Sequence, residues 1–135
     1  MSAIPAELRM QVIKRAADRC EYCGIAQSGQ EAVFHVDHIH PRAAGGETMP
    51  DNLALACVSC SLRKGSRTQS IDPDTGESVP LFHPRLLIWA EHFRREDEWL
   101  MGQTPIGRAT VELLKMNRPI ARAIRAAIMK GNGPV

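Results

Sequence analysis

Aromatic residues are scarce in this chain: three Phe, two Trp and one Tyr among 135 residues. That leaves little material for a platform on which single-stranded bases would stack, so among nucleic acids a duplex backbone suits it better. Long apolar runs are missing too. None approaches the roughly 18 uninterrupted apolar residues of a membrane helix. The opening MSAIPAELRM leads into a charged amphipathic stretch instead of the apolar core of a signal peptide. The expected location is the cytoplasm, with no membrane partner. A strong charge of one sign is also lacking. The net charge of +2 says little by itself, yet its distribution is uneven, which matters more for an anionic partner. From Thr104 onward Arg108, Lys115, Arg118, Arg122, Arg125 and Lys130 face a single acid, Glu112. The length fits one domain, residues 1–135, with a small core near the size at which a metal or a partner helps stability.

Cysteine is sparse but regular. Cys20 and Cys23 stand in CEYC, and Cys57 and Cys60 in CVSC, so all four fall into two pairs of identical internal spacing. A two-residue gap lets both thiolates of a knuckle reach one tetrahedral ion, and two knuckles complete a four-sulfur site of the structural Zn2+ type. Disulfides are disfavoured in a cytosolic setting, and a redox dithiol gives no reason for its own duplicate. The metal would staple a small core. The segment between the knuckles is longer than in a compact zinc ribbon, so something is folded there.

That segment opens with residues 32–39, rich in β-branched and aromatic side chains and expected to form a strand. Pro41, Gly45 and Gly46 then break it into a loop, the glycines serving the turn. Asp37 and His38 therefore stand where a strand ends, a place from which side chains converge on a ligand. His35 leaves the same strand face as Asp37 by the period of two. Asn52 follows at the far end of the loop, LALAC forms a second short strand, and a helix begins near the second knuckle. A strand-end Asp capping a turn beside a surface His is the bland alternative. Arg42 is either a phosphate clamp or a solvated loop residue. Arg63, Lys64 and Arg67 can bind backbone phosphates, though an exposed helix end has the same composition.

Outside the knuckles the pattern turns helical. Residues 5–19 place Leu8, Val12, Ile13 and Ala16 at helical spacing. SIDPDTGESVP marks turns, consistent with a hairpin, and carries no chemistry of its own. Residues 84–98, with Leu87, Ile88 and Trp89, read as a helix, and residues 104–117 as another, capped by Thr104 before Pro105. Pro119 opens a last helix in which Ile120, Ile124 and Ile128 share one face. Arg118, Arg122 and Arg125 gather on another, either tracking DNA or forming a solvated face.

The order CEYC, VDHIHPRAAGG, DNLALAC and then CVSC with LRKG resembles the HNH endonuclease family, with its ββα-metal fold, in the subset whose catalytic unit is clamped by a four-cysteine zinc site. The likeness is close over residues 20–65, and several ordered motifs are far more specific together than any one of them. VPLFHPR, WAEHF and GRATVELLKMNR also resemble the extension of small free-standing bacterial HNH proteins. The resemblance implies an α+β fold: a zinc-stapled ββα-metal core at residues 20–67, between an N-terminal helix and a helical extension at 80–130. It implies cleavage of DNA phosphodiester bonds with one catalytic divalent ion, Mg2+, Mn2+ or Ni2+, distinct from the zinc, and leaves a homodimer open. His38 matches the general base, Asp37 the first ligand of that ion, and Asn52 the residue that orients the base. In the family the residue after the last cysteine is usually His or Asn and is the second ligand, whereas here it is Ser61. Ser61 then ligates weakly or through water, or His35, His83 or His92 takes its place, with His40 ranked behind them. Otherwise the chain has lost cleavage and remains a zinc-stapled module that binds DNA or a protein. A redox protein built on the cysteine pairs ranks last.

Overall fold

A computed structural model describes residues 4–131. The first helix, α1 (Ala6–Arg15), packs Val12 wholly out of solvent. It ends earlier than its apolar spacing predicts. Ala17 and Asp18 take left-handed φ values of 54° and 61°, and the Asp18 N–H reaches back 3.1 Å to the carbonyl of Ile13. This closure satisfies the orphan carbonyls of the last turn and sends the chain into the first knuckle.

β1 (His35–His38) and β2 (Leu53–Ala56) then pair antiparallel, with Asp37 opposite Ala54 and His38 opposite Leu53. β1 lies inside the expected 32–39 and is shorter, because its partner LALA offers only four residues. Every residue of β2 is buried. Its outer edge is closed by Glu21 of the first knuckle, whose N–H donates to the Leu55 carbonyl and whose carboxylate accepts the Leu55 N–H, both at 2.8 Å. That pairing covers an edge which would otherwise be open to other chains. α2 (Val58–Lys64) follows at once, and the Cys57 sulfur that begins it accepts the Cys60 N–H at 3.4 Å. Strand, strand, helix, with a knuckle at either end, is the ββα unit.

The remainder mixes hairpins and helices. β3 (Gln69–Ile71) and β4 (Ser78–Pro80) form a second antiparallel pair. The turn between them is organised by Asp72, fully buried, whose carboxylate accepts from the Asp74 N–H and the Thr75 hydroxyl. It also takes both prongs of Arg108, at 2.9 and 2.8 Å, from α4 (Pro105–Leu113).

The helix predicted over residues 84–98 does not form. One turn, α3 (Trp89–His92), leads straight into a hairpin of β5 (Phe93–Glu96) and β6 (Trp99–Gly102). Residues 93–101 hold no apolar stripe at helical spacing. As strands they bury Phe93 and Leu100 on one face while Asp97 takes the left-handed turn position, φ 54°. Phe93 sits between Phe82 and Trp89, with ring centroids 5.2 and 5.0 Å away.

Thr104 does cap α4, its hydroxyl accepting the Gly107 N–H at 3.0 Å. Near 114 the chain turns through Lys115 at φ 48°, short of the expected 117. α5 (Pro119–Met129) buries Ala121 and Arg125, whereas Ile120 is 63% exposed. The face expected to be apolar is thus rotated: Ile124 packs against the core, and the fully buried positions belong to an alanine and an arginine. One buried cluster runs from Val12 through the knuckles and β2 to Phe82, Phe93, Leu114 and Ala121. Among the described residues no helix is long and apolar enough to cross a membrane.

Candidate functional site

The four cysteines converge. Their sulfurs all lie within 4.8 Å of one another, all four residues are buried, and Cys23 and Cys57 approach to 3.7 Å without a disulfide. Four thiolates about 2.3 Å from one tetrahedral ion sit about 3.8 Å apart, so the cluster fits structural zinc. The Cys23 N–H donates to the Cys20 sulfur at 3.4 Å, matching the Cys60 N–H on Cys57. Hydrogen bonds from Cys20, Cys23 and Cys60 hold the Cys57 thiol far below the ordinary range, while in the absence of an ion the same network pushes the Cys23 and Cys60 thiols up, so the negative charge is concentrated on one side of the cluster.

On the surface of the same unit, Asp37, His38, Pro41, Arg42, Ser61 and Gly65 line a cavity of about 370 Å³. Asp37 and His38 come from the end of β1, Ser61 from the first turns of α2, and Arg42 from the loop between the strands. The His38 pKa is lowered, first by partial burial and then by the Arg42 cation, against an opposing pull from Asp37. Its Nε2 lies 2.8 Å from the Thr48 hydroxyl.

Among the described residues the Asn52 side chain makes no hydrogen bond to His38. Its oxygen accepts the His40 N–H at 2.8 Å, and its amide donates to the carbonyls of His40 and Glu47 at 3.0 and 2.8 Å. These side-chain bonds all go to the loop backbone and fix the chain next to Thr48. Gly46 is needed for the same loop in a way a turn alone does not explain: a Cβ there would fall 1.9 Å from the His40 carbonyl oxygen. Gly45 supplies the left-handed turn, φ 96°.

Among the proposed second ligands, His35 reaches the cavity only through Ser61, its Nδ1 lying 2.8 Å from the Ser61 hydroxyl. His83 and His92 are not brought there. The His83 Nδ1 accepts the Arg85 and Leu86 N–H groups, both at 3.2 Å, and the residue lines a separate cavity with Ile39, His40 and Lys64. His92 lies 2.6 Å from the Thr104 hydroxyl and edge-on to Phe82. His40 is tied to the Ala44 carbonyl at 3.1 Å. Among the described residues the cysteines are the only group of three or more His, Cys, Asp or Glu ligands that converge.

The basic residues divide. Arg63 and Arg67 are exposed near the end of α2. Lys64 is buried, 3% exposed, with its Nζ donating to the Ile39 carbonyl at 3.0 Å. Arg125 is fully buried and donates to the carbonyls of Glu98 and Met116. Neither can face a phosphate. Arg122 lies over the Trp99 ring, 4.3 Å from its centroid. Arg118, Arg122 and Arg125 therefore do not form one exposed stripe: α5 turns the last of them inward.

A carboxylate and a histidine at the mouth of a ββα unit, bracketed by a four-cysteine cluster, define a zinc-stapled ββα-metal fold. The model of the HNH endonuclease family matches residues 20–67, and the four-cysteine cluster at the two ends of that stretch fits the zinc-bearing subset of the family. No curated protein and no solved structure gives a significant match.

Thr48 was not among the sequence candidates. A threonine in a glycine-rich loop has no spacing that marks it, and only the fold shows that it meets His38. Glu21 escaped for a similar reason. It lies inside the CEYC knuckle, where the cysteines carry the signal, yet it pairs with Arg85 and closes the edge of β2.

Proposed function

We propose that this protein is a cytoplasmic, metal-dependent endonuclease that hydrolyses phosphodiester bonds of duplex DNA in the cavity lined by Asp37, His38, Arg42 and Ser61. The convergence of these four side chains on one cavity of an HNH domain is the observation that carries the reading. With its Nε2–H donated to Thr48, His38 keeps a lone pair on Nδ1 to take the proton of an attacking water. Its lowered pKa keeps the ring neutral near neutral pH. The water oxygen bonds to phosphorus as the bond to the leaving oxygen breaks, and the proton rests on His38. Arg42 offers a cation to the phosphate, and Arg67 a further one along the backbone.

Asp37 and the Ser61 hydroxyl form an oxygen donor set suited to a hard divalent cation. Such an ion, when bound, supplies charge stabilisation on the leaving oxygen. With its proton given to His35, Ser61 presents lone pairs to the cavity, so His35 serves as a support for the ligand rather than a ligand itself.

Ser61 also favours a second reading. Its hydroxyl is already engaged by His35, and among the described residues Asp37 is the one carboxylate lining the cavity. A protein with that site can have kept the fold as a zinc-stapled DNA-binding module without cleavage. Supercoiled plasmid incubated with the zinc-loaded protein and Mg2+, Mn2+ or Ni2+ decides between the two. Conversion to open circle by wild type and not by His38→Ala is the expected result. DNA binding with no cut under any of the three ions would leave the module reading standing.

A further inference from the structure

A second cavity of about 370 Å³ lies at the other flank of α2, where Arg63 meets Val111 and Glu112 of α4, Lys115, Arg118 and Pro119. Cys60 and Lys64 are the buried side of that helix. At about 100° per residue, Ser61 and Arg63 leave the helix on opposite flanks of the buried side. Leu62, 71% exposed, forms the ridge between them. One seven-residue helix thus separates the proposed catalytic cavity from this one.

The charge in the second cavity is unbalanced. Three cations come from two places in the chain, Arg63 on α2 and Lys115 with Arg118 in the turn after α4, and among the described residues the one acid lining the cavity, Glu112, is paired with Lys115 at 3.2 Å. Among the described residues neither Arg63 nor Arg118 makes an ion pair. Local bonds hold both guanidinium groups: Arg63 Nε donates to the Ser59 hydroxyl at 3.2 Å, and Arg118 to the Lys115 carbonyl at 3.3 Å. A merely solvated basic face spreads its cations apart. Here they are drawn toward one concave spot against their mutual repulsion, and guanidinium forks match the oxygens of a phosphate better than any neutral ligand.

We propose that this cleft holds a backbone phosphate of the same DNA, distinct from the one cleaved, so that the duplex straddles α2 and is gripped on both flanks of the helix. Val111 and Pro119 provide the apolar wall for the adjoining sugar. The inference rests on the DNA reading above and adds to it where the strand runs. The flanks of a helix lie about 10 Å apart, so the second contact falls on another nucleotide and selects DNA that reaches both sides.

The test is the anisotropy of a labelled duplex with zinc-loaded protein and no added divalent ion, read across about 50–200 mM salt. The double variant Arg63→Gln/Arg118→Gln is expected to bind about tenfold or more weakly, with the slope of log K against log salt reduced by about 1, the signature of one lost phosphate contact. Arg63→Lys/Arg118→Lys keeps the charge and should keep the slope. Glu112→Gln should tighten binding several-fold. Arg63 is exposed and Arg118 half-buried, and an unchanged thermal midpoint confirms that each variant is folded. Wild-type affinity and slope in the Gln double variant would sink the cleft while leaving the DNA reading intact. Absence of salt-dependent binding by the wild type would remove both.

Discussion

The two halves of this molecule are held together by different physics. Residues 20–67 contain two four-residue strands and a seven-residue helix, too little regular structure to bury a core of its own. The four-sulfur cluster ties both ends of that stretch to one point. The region after it has no such staple. It relies on an aromatic stack of Phe82, Trp89 and Phe93, on the Asp72–Arg108 fork, and on a buried arginine. The lesson is that a short hairpin is closed by a cluster that fits a structural metal, while the extension earns its order through packing and then braces the first region from outside. The Trp89 indole donates to the Tyr22 carbonyl at 2.8 Å, and Arg85 pairs with Glu21.

Removing the metal should have the largest effect. Structural zinc in small knuckle domains contributes on the order of 10 kcal/mol of folding free energy, more than a typical domain's whole stability. Strong chelation, or Cys60→Ser in the buried cluster, is expected to abolish the cooperative thermal transition of the entire chain, because β2 and the extension share one buried cluster. A midpoint lowered by only a few degrees would show that packing alone holds residues 20–67, and the contrast between the halves would collapse.

Arg125 sharpens the contrast at the joint. Its guanidinium donates to the Glu98 carbonyl, the Met116 carbonyl and the Asn117 side chain, its Nε finds no partner among the described residues, and burial lowers its pKa. Arg125→Met keeps much of the volume and orphans those acceptors, at a cost of about 2–3 kcal/mol. Urea unfolding with an unchanged m-value would report it. A change below about 0.5 kcal/mol would mean that the arginine is tolerated rather than used.

Legibility from sequence followed the same division. The cysteine pairs, the Asp37–His38 dipeptide at a strand end, the LALA strand and the Thr104 cap are local patterns whose meaning depends on spacing, and the fold has them where the spacing implies. What failed was non-local. The run after Trp89 became a hairpin because Phe93 finds Phe82, a contact no window of sequence contains. Arg125 was placed on a basic face because its neighbours at helical spacing are basic, and only the packing of α5 turns it inward. The grip of Asn52 on the His40 and Glu47 backbone likewise has no mark in the sequence.

Asp72 provides the smallest effect and the one with a pH signature. Nothing in SIDPDTGESVP distinguishes it from an ordinary turn aspartate, but the Arg108 fork holds its carboxyl well below the usual carboxylate range, outweighing the burial that opposes it. A group whose pKa is depressed by folding adds stability that is fully present above its unfolded value, about 3.9, and is lost as pH falls toward the folded value. Asp72→Asn should therefore lower Tm by roughly 3–6 °C at pH 7. As the pH falls below about 4 the two melting curves should begin to converge, because the Asp72 carboxyl of the unfolded chain is then protonated while the folded one still holds its charge. Parallel curves from pH 7 to pH 3 would show that the fork contributes shape and no charge, and the extension would then be held by its aromatic packing alone.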